Sequence, residues 1–333
     1  MIATVRAVRV PASPARPGAR SSPIAWSRLA RRLPDAVFRA TTLALALSVL
    51  GITALIALTL VRASRPSLAA FGWQFLWTST WDPVFLKFGG LPFIYGTLAT
   101  STLALLIAVP VGLGAAICLA ELLPERVADP LTFLIELLVA VPSVIYGLVA
   151  IFILVPLMRS LGNAVQPVLG FLPIFRGPVY GVGLLTATVV LAIMIVPFII
   201  SISREVLLAV PQSQRDAALA LGATRWEMVQ RVVIPFARSG IFGSIFLALA
   251  RALGETMAVT MVIGNRPEIA ASLFAPAYTM PAVLANEFAE ATSDLYLAAL
   301  MEIGLVLFVI TIIVNALARL LIASVSARGV RPA

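Results

Sequence analysis

Histidine is absent from the 333 residues, and cysteine and lysine occur once each. Cys118 lies inside an apolar run. Histidine–cysteine zinc sites, intrachain disulfides, Ser-His-Asp triads and Cys-His pairs are therefore excluded. The lone lysine, Lys87 in "LKFGG", follows no glycine-rich P-loop spacing, so the chain has no Walker A site. If ATP drives this protein, another chain binds the nucleotide and its Mg²⁺, and this chain is expected to carry neither cofactor nor metal. Charged residues make up only 12% of the sequence.

What is present is apolar: 61% of residues, with a mean hydropathy of +1.04. The apolar residues come in runs of about 20, the length that crosses a bilayer as helix. Alternating ten-residue strands of an outer-membrane barrel are not visible. An all-α, polytopic membrane protein follows, with spans expected near 37–61, 93–120, 131–157, 179–203, 240–264 and 295–324. The first run is too long for a signal-peptide core and lacks a small-x-small cleavage site, so it is expected to stay. The segment before it, 1–36, is basic and rich in Pro and Ser, and reads as a disordered tail. With six spans both termini share a side. That side carries 17 of the Lys and Arg residues against 6 on the other. The positive-inside rule makes it cytoplasmic. On the outer side, Trp73, Trp77 and Trp81 recur at i, i+4, i+8, the spacing of an amphipathic helix anchored at the membrane interface. No internal repeat is evident, which disfavours an inverted-repeat carrier.

One stretch breaks the apolar pattern. "RDAALALGATRWEMVQRVVIPFARSG" runs from Arg215 to Gly240 between the fourth and fifth spans. Pro211 suits the first turn of a helix. Ala217, Ala218 and Leu221 then form a small apolar face, and Gly222 suits a helix C-terminus. Thr224 and Glu227 have capping-box spacing for a second helix. In that helix Trp226, Val229 and Val233 share a face, and Pro235 marks a kink or break before the fifth span. The stretch reads as helix, glycine turn, helix along the inner membrane surface.

In the fifth run, Gly240, Ser244, Ala248 and Ala252 repeat every four residues, a ridge suited to close helix packing. Arg251 and Glu255 lie beside it, also four apart. An arginine near mid-bilayer costs about 2.5–3.5 kcal/mol on insertion scales, so it faces the protein interior or a wet path. Two readings stay open: a structural ion pair between the two, or an anion station in which Arg251 attracts substrate and Glu255 prevents overly tight binding. In the third run Pro142 and Ser143 free backbone carbonyls, and Ser143 and Tyr146 are candidates to line the path. Glu136 and Glu302 are expected toward span ends, where snorkelling or a neighbouring hydrogen bond accounts for them.

Asp216-Ala217-Ala218, three residues, Gly222, nine residues, then Val232-x-Ile234-Pro235 resembles the EAA loop of ABC importer permeases, E-A-A-x3-G-x9-I-x-L-P. The departures are Asp for Glu, Val for Ile and Ile for Leu, and the shorter Asp reaches less far. The resemblance implies a type I (MetI-like) permease domain over 93–324. Its loop at 204–239 would dock into a separate ATPase, with Arg215, Asp216, Ala217, Ala218, Gly222 and Pro235 at the coupling surface. "ALGETMAVTMVIGN", "SLFAPAYTMPAVLANEFAEA", "ELLVAVPSVIYGL" and "PFIYGTLATSTLALLIAVPVG" are similar to PstC-type permeases of phosphate-specific ABC importers. This implies phosphate translocation across a bacterial inner membrane, with Arg251 and Glu255 on the path. The implied partners are a second permease (PstA-type), two ATPase subunits (PstB-type) binding ATP and Mg²⁺, and a periplasmic phosphate-binding protein (PstS-type). Permeases for molybdate, sulfate or phosphonate share the loop, and residue chemistry does not separate these anions. An autonomous channel or carrier would leave the loop spacing a coincidence, and a membrane enzyme lacks a credible catalytic constellation.

Overall fold

The computed structural model describes the backbone of residues 25–327 and the side chains of 37–324. The tail reading for 1–36 lies outside the described residues as far as residue 24. From Ala25 the backbone belongs to helix α1 (Ala25–Ala63). The chain divides into two units, 1–56 and 57–333. The described part of the first is the N-terminal portion of α1. Six helical stretches among the described residues are long and apolar enough to cross a membrane: Val37–Ala63, Leu91–Leu122, Ser143–Leu169, Leu184–Leu208, Arg225–Leu253 and Asp294–Ser324.

Four of these agree with the apolar runs to within a few residues, and two are displaced. The third run breaks at Pro142, whose extended backbone (φ −57°, ψ 138°) cannot continue a helix. The residues before the break form a separate helix, α4 (Glu125–Ala140), and the spanning helix is α5 (Ser143–Val149) running through a π turn into α6 (Val155–Leu169). The fifth span begins earlier and ends earlier than its apolar run, because Gly254 stops it.

The second unit is built around α3 (Leu91–Ile117) and α7 (Leu184–Leu208), whose facing sides carry Ala104, Ala108, Ala187, Leu191, Ile195 and Ile199. Small residues set the spacing. A Cβ on Gly112 would sit 2.8 Å from Ile199 Cγ2, so α3 needs glycine to lie this close to α7. The fifth-span helix, α10 (Ile234–Leu253), packs on α7 through the small-residue ridge. Ser244 and Ser203 share a buried 2.8 Å hydrogen bond, and a Cβ on Gly240 would collide with Val206. In an apolar medium such close backbone approach supplies the packing that hydrophobic exclusion cannot.

Residues 64–90 do not form one amphipathic helix. α2 (Arg65–Phe71) tightens into a 3₁₀ turn, Gly72–Leu76, and helical structure ends there. Trp73 and Trp77 remain exposed, while Trp81 leaves the stripe. Its indole Nε1 donates to Glu287 Oε2 at 2.8 Å, and its ring packs edge-on against Phe88 and Phe93. Tyr296 donates to the same oxygen at 2.6 Å. The segment after α10 holds two short helices, α11 (Met257–Thr260) and α12 (Met280–Glu287), before α13 (Asp294–Ala327). Glu136 is exposed on α4. Glu302 is only 2% exposed beside Ser67, so it does not snorkel.

Candidate functional site

Two regions carry the residues singled out in sequence: the loop between α7 and α10, and the broken end of α10.

Pro211 stands one position before the expected one, as the extended N-cap residue of α8 (Gln212–Ala220). Gly222 has φ +85°. Its N–H donates to Leu219 O at 3.0 Å, and Ala223 N–H donates to Ala218 O at 3.2 Å, the paired bonds of a Schellman C-cap. Thr224 then starts α9 (Arg225–Met228) with a complete capping box. Glu227 N–H donates to Thr224 Oγ1 at 3.3 Å, and Thr224 N–H donates to Glu227 Oε2 at 2.9 Å. Both turn devices expected from the residues are formed.

Pro235 does not break the chain's path. A π turn, Val229–Val233, joins α9 to α10, so Arg225–Leu253 is continuous helix. The wider turn accommodates the carbonyl that a proline four residues later leaves without a donor. Val229 and Val233 are buried with Met228, whereas Trp226 is 52% exposed.

The faces of α8 differ from the expected one. Ala218 turns inward, and Ala217 and Leu221 turn outward, with Leu221 89% exposed. Asp216 is also exposed, and its carboxylate accepts from Gln212 Nε2 at 3.1 Å. Asp216, Ala217, Leu221, Gly222 and Trp226 form an outward surface of small or apolar groups around one acid. Arg215 is not on it. Its guanidinium is buried against Glu121, with Nη2 2.7 Å from Oε1. Arg215 therefore already has an intramolecular acid.

At the other region, Gly254 ends α10 between Arg251 and Glu255. The described ion pairs involve Arg204, Arg215 and Arg231, and none joins Arg251 to Glu255. Glu255 Oε1 instead accepts from Ala258 N–H at 3.1 Å, across the first turn of α11. The Arg251 guanidinium carbon lies 5.6 Å from the centre of the Phe198 ring of α7, a cation–π distance. Its Nε is buried without a hydrogen-bond partner.

Tyr146 is brought to this place by α5. Its hydroxyl donates to Leu138 O at 2.7 Å, bridging the Pro142 break, and the Arg251 charge acts on it. Gly147 sets the approach of α5 to α11: a Cβ there would sit 2.5 Å from Met261 Sδ and 3.2 Å from Ala258 Cα. Ser143 lies one turn earlier on α5 and is half-buried. Arg251, Glu255, Tyr146 and Ser143 thus come from elements packed together. Phe198 was not singled out in sequence, because an aromatic in an apolar run carries no signal of what it faces. The arrangement offers a half-buried cation outside the described ion pairs, with a carboxylate held beside a helix end. Such a set can bind an anion transiently.

Known proteins agree with this architecture. Residues 108–327 match the family described as binding-protein-dependent transport system inner membrane component. A Mesorhizobium japonicum protein called phosphate transport system permease protein PstC is 48% identical over 89% of this chain and 92% of its own length. The protein of the same name from Pasteurella multocida is 46% identical over 89% of this chain and 94% of its own. A chain of the MetNI methionine ABC transporter, solved in inward-facing conformations, superposes with a TM-score of 0.53 at 15% identity. It covers 74% of this chain and 99% of that one. The fold is that of MetI-like, type I ABC importer permeases, and the chain belongs to the family of binding-protein-dependent transport system inner-membrane components, a multi-pass transport subunit of an ABC importer.

Proposed function

We propose that this chain is the permease subunit through which an ABC importer moves inorganic phosphate across the bacterial inner membrane. The observation that carries the reading is the 48% identity, over nearly the whole chain, to a protein named as a phosphate permease. The geometry around Arg251 supports it. None of the described ion pairs neutralises Arg251 with Glu255, whose carboxylate is turned to the Ala258 N–H, so the guanidinium charge remains to attract a tetrahedral anion. Ser143 and Tyr146 contribute hydroxyls to the same path.

The rest of the machine is supplied in trans. A second, PstA-type permease completes the path, and two PstB-type subunits bind ATP and Mg²⁺ and hydrolyse the nucleotide. A PstS-type periplasmic protein delivers phosphate. No cofactor is held by this chain. Both termini and the 209–224 loop face the cytoplasm, where the outward surface of Asp216, Ala217, Leu221, Gly222 and Trp226 seats in a groove of the ATPase.

The test is reconstitution in proteoliposomes with the ATPase chains, the second permease and a loaded binding protein. Labelled phosphate uptake should require ATP and every partner, and should exceed that of molybdate and sulfate. Preferential uptake of another oxyanion removes phosphate as the substrate. Uptake without nucleotide or partners makes the chain a channel or carrier.

A further inference from the structure

On α8, Arg215 turns inward while its neighbour Asp216 stays exposed. The Arg215 side chain is 10% exposed and that of Glu121 only 5%. Arg215 Nη2 donates to Glu121 Oε1 at 2.7 Å, and Nε reaches both carboxylate oxygens at 3.2 and 3.3 Å. The remaining donors serve the end of α7: Nη2 donates to Leu207 O at 2.8 Å and Nη1 donates to Val210 O. One guanidinium thus holds three pieces of chain together: α8, the end of α7, and the π turn Cys118–Leu122 that closes α3.

Local energetics account for only half of this. A cation at the C-terminus of α7 is favoured by the helix dipole. A carboxylate at the C-terminal end of α3 is disfavoured by the dipole of its own helix, so the position of Glu121 makes sense only with Arg215 opposite. Nor does stability require the pair, because buried ion pairs replaced by well-packed apolar residues often cost nothing.

The two halves of the loop are fastened differently. α9 is covalently continuous with α10, and the helix carries roughly 39 Å from Arg225 to Arg251 at 1.5 Å per residue. α8 follows α7 across Ala209–Pro211 and buries Ala218, and its polar link to the end of α3 runs through Arg215; the Gly222 turn separates the halves.

We propose that Glu121 is a positioning residue. Through Arg215 it clamps α8 to the ends of α3 and α7, so that a displacement of the loop by the ATPase enters α3 as well as α10. α3 delivers the motion to the path, since Ala104 and Ala108 lie in the same buried cluster as Ala248 and Ala252 on either side of Arg251. The inference rests on the permease reading above.

The test uses the assembled transporter in proteoliposomes, with Glu121→Gln, which leaves the outward face of α8 untouched. Spin labels on Gln214→Cys and Leu122→Cys, in a Cys118→Ser background, report the separation of α8 from the end of α3. With the pair intact the separation stays single and unchanged between nucleotide-free and ATP-trapped states. With Glu121→Gln it broadens and shifts on ATP trapping, and phosphate moved per ATP hydrolysed falls at least about tenfold, within the usual range of coupling effects. A flexible bismaleimide across E121C/R215C restores the coupling if the link is mechanical. The clamp is overturned if the separation changes between states with the pair intact, if Glu121→Gln couples normally, or if the cross-link fails to restore coupling. Intact transporters that hold the separation but take up no phosphate support the clamp and remove the phosphate reading instead.

Discussion

Arg251 and Glu255 stand four residues apart but on opposite sides of a helix end: Gly254 closes α10 between them, and the Glu255 carboxylate turns to the Ala258 N–H at 3.1 Å. The Arg251 charge is therefore not spent on its sequence neighbour. Phe198 lies under its guanidinium, and its Nε has no partner.

Arg251→Ala should abolish phosphate uptake while the ATPase subunits still co-purify. Arg251→Lys should restore it only in part, because an ammonium cannot present the planar N–H fork that suits a tetrahedral oxyanion. Uptake surviving Arg251→Ala at the unaltered rate would leave Arg251 with a packing role alone.

Glu255→Gln and Glu255→Ala separate the two tasks of that side chain. Gln keeps an oxygen for the Ala258 N–H and removes only the charge, so folding should be retained while phosphate release slows. A lower KM together with a lower maximal rate is the expected signature. Ala also removes the acceptor, at about 1 kcal/mol by analogy with lost helix caps. It should lower the thermal midpoint of the detergent-solubilised complex, and Gln should not.

Gly222→Val should uncouple ATP hydrolysis from transport, and the cause is backbone rather than space. A Cβ at Gly222 meets nothing within 4 Å, but φ is +85°, a conformation that costs most for β-branched residues, of order 1–3 kcal/mol. Gly222→Asn, which tolerates the left-handed region, should keep most of the coupling. Equal coupling ratios for Val and Asn would remove the turn from the mechanism.

Leu221→Glu tests the outward face of α8 separately. At 89% exposure the side chain supports no packing in this chain, so expression and membrane insertion should be unaffected. ATPase co-purification should fall sharply. If the ATPase is retained with Leu221→Glu, the docking surface lies elsewhere.

Gly147→Ala should impair transport through the approach of α5 to α11. The added Cβ would lie 2.5 Å from Met261 Sδ, and the double variant with Met261→Ala should recover most of the loss. No recovery would place the conflict at the Ala258 backbone, 3.2 Å away.

Local devices were legible where one residue type satisfies a backbone need. Gly222 and the Thr224–Glu227 box are of this kind, because each depends on positions only a few residues apart. Continuity of a helix is not legible in the same way. The third apolar run hid a break at Pro142, and the fifth ran past its stop at Gly254, because hydropathy does not distinguish a helix from an apolar loop buried in protein. The Trp73–Trp81 stripe failed for a related reason. Helical spacing says nothing about where the helix ends, and Trp81 is held by Glu287, some two hundred residues away.

The sequence by itself determined the class and the number of spans, which follow from composition and the length of the apolar runs, and the resemblance carried by one spaced segment pointed to the family. Only the tertiary structure decided which partner each charge has. Arg215, expected on the docking surface, is buried on Glu121. Arg251, expected to choose between Glu255 and substrate, lies against the Phe198 ring. The physical reason is range: caps and turns are closed by neighbours in sequence, whereas a charge in an apolar bundle is settled by whichever helices the packing brings beside it.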